Sequence, residues 1–341
     1  MHAIRLHTFG PAENLTYETT DDPVPGPGQV RIAVAAAGVH LLDTALREGM
    51  TGPFPAPAEL PTVPGREVAG TVDTLGEGTD PGWLGRRVVA HLGMVPGGYA
   101  ELAVTDADKL HPIPPGLDEA QAVAMIGTGR TALGILQFTE LGPDSVAVVP
   151  AAAGGIGTLL VQYAKHAGAT VIGLAGGPAK VAAVKANGAD LAVDYTLPDW
   201  PAQVITYLDG VGRRATVVYD SVGGVTARAA VDLLGKGGQH IVFGWSGEGL
   251  HNGSPLTFTD EELAERGITS QDVLGPAMMQ KAGGLRALEE RSLAEAAAGR
   301  LRPAVQRFPL AEAAAAHRAL ETRGTMGKVV LVPSLSRQAP S

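Results

Sequence analysis

The sequence contains no cysteine, and that absence excludes several kinds of protein at once. A chain of 341 residues without cysteine has no disulfide framework, no thiolate nucleophile and no zinc site built on sulfur ligands. Long basic runs are also lacking, and 35 acidic against 26 basic side chains give a formal net charge of −9. Nucleic acid is therefore not expected as a partner, because binding to its phosphates requires concentrated lysine and arginine.

Signal and membrane-spanning segments are missing from the pattern as well. The first ten residues, MHAIRLHTFG, mix charged and apolar side chains and contain no apolar run of signal-peptide length. The longest uncharged run, residues 145–164, is long enough on length alone to cross a bilayer. Pro150 and a glycine cluster interrupt it, which indicates a buried strand, a tight turn and a helix. We expect a soluble, cytoplasmic protein without a membrane as partner.

The chain has two regions with different patterns, in agreement with a length that suits roughly two domains. Up to about residue 115, strand-like runs such as 29–36, Glu67–Leu75 and Arg87–His91 are separated by glycine and proline turns and predict a mostly β domain. From about residue 118 to 305, apolar strands alternate with helical stretches, which predicts a parallel sheet covered on both faces. A final strand, Lys328–Val332, returns to the first region. We therefore predict domains at 1–120 with 306–341 and at 121–305.

Individual elements can be predicted within this outline. The strands of the second domain are predicted at 145–149, Thr170–Ala175, Leu191–Asp194, 216–220 and 240–243, and its helices at 156–167, 178–187, 201–208 and 226–234. Another helix, at 310–322, precedes the final strand. Gly168, Gly188 and Gly235 each follow a predicted helix, at the position where a left-handed closing residue is favoured.

A glycine-rich turn, AAAGGIG at residues 151–157, joins the first of these strands to the first helix. In the dinucleotide-binding pattern G-x-G-x-x-G, the three glycine positions are occupied by Ala152, Gly154 and Gly157, so alanine replaces the first glycine. Gly155 and Ile156 occupy the two positions before the last glycine. Gly154 lets the backbone approach a pyrophosphate, Gly157 lets the helix pack closely on the strand, and the helix N-terminus attracts the anion. The pattern predicts dinucleotide binding. The alternative is a turn whose small residues serve packing alone.

The residues after the second strand favour NADP over NAD. An NAD site usually carries an acidic residue roughly 20 residues after the glycines, where it binds the ribose hydroxyls. Here the strand Thr170–Ala175 is followed by Gly176 and Gly177, and the first ionisable residue is Lys180. An ammonium group there would attract a ribose 2′-phosphate, and no carboxylate would repel it. The alternative is an exposed lysine in the first turn of a helix.

Three motifs together resemble one known family. AAAGGIG with its following helix, PGREVAG at 64–70 and DSVGG at 220–224 are similar to the zinc-independent quinone oxidoreductases of the medium-chain dehydrogenase/reductase superfamily. The resemblance extends over nearly the whole chain, to RGTMGKVVL at 323–331. It implies a GroES-like, mostly β catalytic domain plus a Rossmann domain with a doubly wound parallel sheet. It also implies a cofactor and substrate in the cleft between them, and a homodimer joined through the Rossmann sheets.

The same resemblance implies which residues bind the cofactor. Relatives that use NADPH hold its 2′-phosphate with a glycine and a lysine after the second strand, a tyrosine after the third and an arginine from the returning C-terminal segment. The residues at the matching places are Gly176, Lys180, Tyr195 and Arg323. The implied cofactor is therefore NADPH. Further residues placed along it by similarity, the last two near the nicotinamide, are Thr131, Val222, Phe243 and Gly244.

The substrate pocket is where the chain departs from the family. The related segment usually has asparagine at position 40, aspartate at 43 and tyrosine at 45. Asp43 and Arg47 are kept, whereas His40 replaces the amide and Ala45 replaces the ring. We take His40, Asp43 and Arg47 as candidate catalytic residues, because an imidazole can hydrogen-bond a carbonyl or donate a proton near neutral pH. The alternative for His40 is a partly buried histidine bonded to the backbone.

The charged residues around this pocket differ from a zinc site. Zinc members of the superfamily need a cysteine near position 40, a His-Glu pair after a glycine and a third ligand deeper in the chain. This chain has His40 at the first place and Arg66 with Glu67 at the second, and it lacks both thiolates and the cysteine-rich structural lobe. No metal is predicted. Arg130 stands where relatives are usually apolar and could add a charge to the pocket.

The leading hypothesis is an NADPH-dependent, zinc-independent oxidoreductase that transfers hydride to a small-molecule acceptor, a quinone or a similar conjugated compound. The cofactor carries the chemistry, while the protein positions the acceptor, excludes water and polarises the acceptor oxygen. The nearest alternative is reduction of an α,β-unsaturated ketone, aldehyde or enoyl thioester. A hypothesis of another class is a catalytically weak NADPH-binding protein that serves as a redox sensor or in a structural role.

Overall fold

The structure is a computed structural model that describes residues 1–51, 56–249 and 253–334. Its strands are β1 (His2–Leu6), β2 (Leu15–Thr19), β3 (Gln29–Val39), β4 (Glu67–Leu75), β5 (Arg87–His91), β6 (Leu102–Asp106), β7 (His111–Pro112), β8 (Val146–Val149), β9 (Thr170–Ala175), β10 (Leu191–Asp194), β11 (Ala215–Asp220), β12 (Leu234–Val242), β13 (Thr269–Asp272), β14 (Val305–Pro309) and β15 (Lys328–Val332). Its α-helices are α1 (Leu41–Arg47), α2 (Glu119–Ala124), α3 (Arg130–Leu136), α4 (Gly155–His166), α5 (Pro178–Ala186), α6 (Trp200–Gly210), α7 (Gly224–Val231), α8 (Asp260–Arg266), α9 (Pro276–Ala282), α10 (Leu285–Ala297) and α11 (Ala313–Glu321). Of the helices in these ranges, none is long and apolar enough to cross a membrane.

The chain forms two compact units. Unit 1 consists of Met1–Thr128, Ser292–Ala297 and Pro303–Ser341, and unit 2 of Gly129–Arg291 and Ala298–Arg302. Unit 1 is mostly β and unit 2 contains a parallel sheet with helices, so the predicted α/β class is confirmed. The domain boundaries predicted at residues 120 and 305 stay predictions.

Unit 1 is built on a sheet with the strand order β14-β15-β3-β4-β5-β7, and β6 also pairs with β3. In β3, Val30 and Ile32 are fully buried while Arg31 between them is half-buried, because alternate side chains of a strand face opposite sides of the sheet. In the pairing of neighbouring strands, Val329 of β15 lies opposite Val39 of β3, and Val68 of β4 lies opposite Ala37. The end of β3 and the beginnings of β4 and β15 therefore meet at one edge.

Unit 2 is built on a six-stranded parallel sheet with the order β10-β9-β8-β11-β12-β13. Every residue of β8 is fully buried, as expected for a strand covered on both faces. The chain moves outward in one direction from β8 to β10 and in the other from β11 to β13. In such doubly wound sheets, ligands bind at the carboxyl ends of the strands where the order reverses, which here lies between β8 and β11.

Several predicted elements have the same bounds in the structure, namely Glu67–Leu75, Arg87–His91, Thr170–Ala175, Leu191–Asp194 and Lys328–Val332. Gly168 and Gly188 have φ of 86° and 104°, so their predicted left-handed conformation is confirmed. The prediction for Gly235 was wrong, since β12 begins at Leu234 rather than at 240 and includes this glycine. The physical reason is tertiary: Leu234 pairs with Ala215 of β11, which draws a glycine-rich segment with little local preference into the sheet.

Candidate functional site

The glycine-rich turn lies at the carboxyl end of β8, beside the reversal of strand order in unit 2. The N-cap of α4 is Gly154, which has no side chain to accept hydrogen bonds from the amides of the first helical turn. A Cβ on Gly157 would lie 2.4 Å from the carbonyl oxygen of Ala151 and 2.7 Å from Cα of Ala152. A side chain at Gly157 would therefore push the helix away from the strand. The turn combines close packing with first-turn amides that an anion can bind.

Ala151 is the residue of this turn that the sequence pattern did not single out. Its φ is 51°, a left-handed conformation that non-glycine residues rarely adopt. Its carbonyl oxygen accepts a hydrogen bond from the Gly154 amide at 2.9 Å, which closes the turn. Strained backbone of this kind is concentrated at ligand-binding sites. No local sequence motif predicts the left-handed conformation of Ala151, because it results from the path of the chain between β8 and α4.

Three of the residues predicted to hold a 2′-phosphate lie near one another at the ends of β9 and β10. The two strands are neighbours in the sheet, with Ala175 opposite Asp194, so Gly176 and Tyr195 follow at adjacent positions. A Cβ on Gly176 would lie 3.8 Å from the Tyr195 hydroxyl oxygen. Lys180 lies in the first turn of α5, which begins two residues after Gly176. The structure brings these three residues to one corner of unit 2.

A carboxylate that was not among the predicted site residues, Asp194, also lies at this corner. Asp194 accepts hydrogen bonds from the Thr196 hydroxyl at 2.6 Å and from the Thr196 amide at 3.0 Å. The Thr196 hydroxyl bond, together with backbone bonds from Gly177 and Thr196, lowers the pKa of Asp194. The carboxylate therefore serves to connect the ends of β9 and β10, which holds the corner in shape.

Phe243 and Gly244, predicted near the nicotinamide, and Val222, predicted along the cofactor, follow the ends of the neighbouring strands β12 and β11. The Val222 amide donates to Oδ1 of Asp220 at 2.8 Å, and the Phe243 amide donates to the Asp220 carbonyl oxygen at 2.9 Å. A Cβ on Gly244 would lie 3.2 Å from the carbonyl oxygen of Ser221. The other carboxylate oxygen of Asp220, Oδ2, lies 3.1 Å from Nε2 of the fully buried His240. Asp220 and His240 thus organise this segment, and only Asp220 had a sequence signal, in the DSVGG motif.

The remaining residues considered above lie elsewhere. Thr131 is half-buried in α3 of unit 2. Arg323 belongs to unit 1, where it follows α11 with a left-handed φ of 57°. The cofactor roles of both stay predictions. Arg130 donates to Oε1 of Glu289 at 2.6 Å, and both side chains are largely buried, so this carboxylate compensates its charge.

The candidate catalytic residues lie in unit 1, where β3 ends and α1 begins. His40 is the N-cap of α1, and its amide donates to Oδ2 of Asp43 at 2.8 Å. The His40 side chain is 32% exposed, whereas those of Asp43 and Arg47 are 4% and 1% exposed. Of the three candidates, His40 is therefore the one that reaches solvent.

The His40 imidazole contacts a buried ion pair. Its Nε2 lies 2.9 Å from Oε1 of Glu67 and 2.8 Å from Nζ of Lys328. The Lys328 ammonium lies 2.9 Å from the other oxygen of Glu67, Oε2, and these two side chains are 4% and 0% exposed. Sheet pairing brings the three together, since they are the residue after β3 and the first residues of β4 and β15. We call this set the His40–Glu67–Lys328 triad.

Glu67 remains a carboxylate although it is buried. Burial by itself raises the pKa of its carboxyl group, but the charges of His40 and Lys328 outweigh burial and hold that pKa well below the ordinary range. Two glycines make room for it: a Cβ on Gly38 would lie 2.2 Å from Oε2, and one on Gly127 would lie 1.4 Å from Oε1. Lys328 was not among the predicted site residues, and its one sequence signal is a charged residue at the start of an apolar strand.

Asp43 and Arg47 are the two ends of a buried hydrogen-bond chain. Nη1 of Arg47 lies 3.4 Å from Nδ1 of His317, Nε2 of His317 lies 3.2 Å from the Tyr99 oxygen, and the Tyr99 hydroxyl donates to Oδ2 of Asp43 at 3.0 Å. Since a guanidinium group can only donate, Nδ1 of His317 accepts and Nε2 carries the proton. Burial, aided by Arg47 and opposed by Asp43, lowers the pKa of His317 to about 4. This chain fixes Asp43 and, through it, the backbone of His40.

The described residues contain no group of three or more His, Asp or Glu side chains placed to hold a metal ion. At the position compared with the zinc enzymes, the cation that lies against Glu67 is the ammonium group of Lys328, at 2.9 Å.

Comparison with known proteins gives matches over both parts of the chain. Residues 26–115 match the alcohol dehydrogenase GroES-like domain, and residues 155–285 match the zinc-binding dehydrogenase family. The chain is 34% identical to a 2-haloacrylate reductase of Burkholderia over 335 residues, covering 96% of this chain and 98% of the relative. It is also 34% identical to a quinone oxidoreductase of Pseudomonas aeruginosa over 334 residues, covering 97% and 99%. The Escherichia coli quinone oxidoreductase solved with NADPH superposes with a TM-score of 0.79 at 28% identity, covering 98% of this chain and all of the other.

Proposed function

The chain belongs to the quinone oxidoreductase family of the medium-chain dehydrogenase/reductase superfamily, and we propose that it is an NADPH-dependent reductase. Its acceptor is a quinone or a similarly conjugated small molecule. The observation that carries the proposal is the corner formed by Gly176, Lys180 and Tyr195 at the ends of β9 and β10. A cation, a hydroxyl group and a position without a side chain suit the 2′-phosphate that distinguishes NADPH from NADH.

Unit 2 fits a dinucleotide along one edge of its sheet. The amides of Gly155, Ile156 and Gly157 open a helix with a glycine N-cap and would hold the pyrophosphate. Phe243 and Gly244, the two residues predicted near the nicotinamide, would contact that ring, and Val222, which follows the neighbouring strand β11, would contact the cofactor beside them. From β10 to β12 this edge crosses four strand spacings of about 4.8 Å, or roughly 19 Å in all. A dinucleotide, which is extended and carries an anionic pyrophosphate at its centre, suits this row of strand ends.

In unit 1 we assign His40 to the acceptor. NADPH, when bound, supplies the hydride. The His40 imidazole, 32% exposed, hydrogen-bonds the acceptor oxygen and polarises it. Asp43 acts through His40, since its carboxylate accepts a hydrogen bond from the His40 amide. Arg47 acts through the buried hydrogen-bond chain that holds Asp43. Asp43 and Arg47 are therefore positioning residues.

A second candidate reaction is reduction of an α,β-unsaturated compound. The similarity to a 2-haloacrylate reductase favours it, because an acrylate is a conjugated carboxylic acid. Steady-state oxidation of NADPH, followed by absorbance with a panel of quinones, enones and acrylates, separates the candidates. We expect turnover with quinones at higher kcat/KM than with acrylates. Tight NADPH binding without turnover of any acceptor would refute the enzyme and favour the sensor or structural protein.

Lys180 tests the choice of cofactor. Lys180→Ala should weaken NADPH binding by tenfold or more and leave NADH binding nearly unchanged, because only NADPH carries the phosphate that the ammonium group attracts. Lys185→Ala is the matched control, since Lys185 lies in the same helix and its Nζ donates to the Asp190 carbonyl oxygen at 2.6 Å. Both Kd values are measured by fluorescence titration. Equal weakening of NADPH and NADH would contradict the assignment.

Three further properties belong to the proposal. Zinc independence predicts that dialysis against a chelator leaves kcat unchanged, and a loss of activity restored by Zn²⁺ would contradict it.

The proposed homodimer would join the sheets of two copies through β13, which lies at one end of the sheet of unit 2. Sedimentation equilibrium should give twice the mass of 34.9 kDa. A cytoplasmic location predicts recovery in the soluble fraction after cell lysis.

A further inference from the structure

We propose that Arg66 is a specificity-determining residue whose guanidinium group binds a carboxylate carried by the acceptor. The inference rests on the proposed function, which supplies the hydride transfer, and it narrows the substrate class to conjugated acceptors that also bear an acidic group. Arg66 directly precedes β4. Its neighbour Glu67 belongs to the buried ion pair with Lys328, whereas Arg66 lines a pocket.

This pocket of unit 1 places the Arg66 side chain beside apolar walls. Its described lining includes Leu6, Leu46, Pro64 and Pro96. All of these residues belong to the segment Met1–Thr128, so unit 1 forms this part of the pocket by itself. Apolar walls exclude water, and a hydrogen bond between charged groups is stronger where water is excluded. A guanidinium group in such a place is suited to bind an anion.

The other charged residues that line the described part of the pocket, Asp43 and Arg47, have close partners within the protein. Nη2 of Arg47 lies 2.6 Å from a carboxylate oxygen of Glu321 and 2.7 Å from one of Glu48. Oδ2 of Asp43 accepts hydrogen bonds from the Tyr99 hydroxyl at 3.0 Å and from a backbone amide at 2.8 Å. The charge of Arg47 is therefore compensated, and Asp43 is held in place by donors other than Arg66.

Arg66 forms a longer ion pair. Its Nη1 lies 3.8 Å from Oδ1 of Asp43, which is beyond hydrogen-bond distance. The Arg66 side chain is largely buried, and burial lowers the pKa of its guanidinium group, an effect that Asp43 and Tyr99 oppose without cancelling it. An anionic group bound at Arg66 would stabilise this charge further. The surroundings of Arg66 therefore favour an acceptor that carries a negative charge.

The backbone on both sides of Arg66 is held in place before any ligand binds. The Arg66 carbonyl oxygen accepts a hydrogen bond from the Leu92 amide at 2.7 Å. Gly65 has a φ of 88°, and a Cβ at this position would lie 2.2 Å from Cδ1 of Tyr99. This close contact fixes the path of the chain into β4. Because the residue is positioned in advance, less conformational entropy is lost when a ligand binds.

Arg66 and His40 flank the same carboxylate. Nη1 of Arg66 lies 3.8 Å from Oδ1 of Asp43, and Nδ1 of His40 lies 3.8 Å from Oδ2. An acceptor whose carbonyl oxygen binds at His40 can therefore extend a carboxylate to Arg66. Two parallel hydrogen bonds from the guanidinium group would fix the orientation of that carboxylate. The two contacts together favour a short molecule with a conjugated carbonyl at one end and a carboxylate at the other.

Two acceptors that differ only in this charge test the assignment. The probes are 3-benzoylacrylate, a conjugated keto acid, and its methyl ester. In both, the carbon–carbon double bond takes up the hydride of NADPH and a proton from water, and NADPH oxidation is followed by absorbance. Arg66→Met should lower kcat/KM for the acid by about tenfold or more and leave the value for the ester within about twofold, since only the acid loses a charge-assisted hydrogen bond.

Two further variants control this comparison. Arg66→Lys should restore part of the loss, because an ammonium group still attracts the acid but lacks the planar pair of donors. Arg86→Met removes an exposed guanidinium group of unit 1 that lies over the Trp83 ring, and it should change neither value. An unchanged kcat/KM for the acid in Arg66→Met, or an equal loss for the acid and the ester, would overturn the proposal.

Binding of a saturated analogue separates this inference from the proposed function. 3-Benzoylpropionate lacks the conjugated double bond, and isothermal titration calorimetry gives its Kd in the presence of NADP⁺. We expect Arg66→Met to raise this Kd by about tenfold or more, while the methyl ester binds both proteins alike. If this difference is found but no acceptor is reduced, the proposed function fails and the assignment of Arg66 stands. If the wild type reduces acceptors but binds the analogue no more tightly than Arg66→Met does, only the assignment of Arg66 fails. Native folding of each variant is checked by circular dichroism.

Discussion

Lowering the pH tests the buried hydrogen-bond chain of unit 1, because it favours protonation of His317. The ring is fully buried and accepts from Arg47 at Nδ1, so a second ring proton has no place in the chain. Burial is the main cause that lowers its pKa from 6.5 to about 4. The unfolded chain keeps the ordinary value. Between these two values the unfolded state binds more protons than the folded state, and stability therefore falls as the pH falls.

The size of the effect follows from the two pKa values. The lowering of the pKa from 6.5 to about 4 corresponds to about 3 kcal/mol of stability. This contribution is fully present above pH 6.5 and is lost as the pH falls toward 4. Because protonation of His317 is coupled to unfolding, the free energy of unfolding should fall by roughly 2 kcal/mol between pH 7.5 and pH 5.

Native-state hydrogen exchange measures this loss separately in the two units. The peptide that contains β15 reports the opening of unit 1, and the peptide that contains β8 reports unit 2, since both strands are buried. Between pH 7.5 and 5, the free energy of opening of β15 should fall by about 2 kcal/mol more in the wild type than in His317→Gln. The β8 peptide is the internal control and should respond alike in both proteins. An identical pH dependence of β15 in the two proteins would refute the reasoning.

Two substitutions test the buried polar groups of unit 1 against matched controls. Gly127→Ala places a Cβ 1.4 Å from Oε1 of Glu67 and should cost about 3–5 kcal/mol, since it separates a buried carboxylate from its partners. Gly142→Ala, with nothing within 4 Å of the added atom, should change the melting temperature little, and equal shifts would contradict the first estimate. Tyr99→Phe removes a hydrogen bond to the Asp43 carboxylate and should cost about 1.5–3 kcal/mol in urea denaturation. Tyr219→Phe, which removes a bond of 2.5 Å to a threonine hydroxyl, should cost about 1 kcal/mol, and a larger loss there would refute the ranking.

Much of unit 2 could be predicted from sequence because its signals are local. The apolar strands, the helices between them and the turn at 151–157 follow one another along the chain, and parallel pairing brings the strand ends to one edge. Gly176 and Tyr195 meet for the same reason. The wrong start of β12 shows the limit, since residues 234–239 join the sheet through pairing with β11 and not through their own preference.

The opposite holds for the candidate site of unit 1. His40 and Asp43 were identified by family resemblance, but their roles could not be, because their partners come from distant parts of the chain. The buried chain to His317 crosses 270 residues, and the ion pair of Glu67 and Lys328 forms only where β3, β4 and β15 are in register. The nucleotide-binding architecture and the absence of sulfur ligands could be predicted from the sequence alone, since both depend on composition and on residues close together in the chain. The charges that surround His40 follow instead from tertiary contacts, because strand pairing brings Glu67 and Lys328 to its ring. Buried charges are stable only beside their partners, and strand register selects those partners.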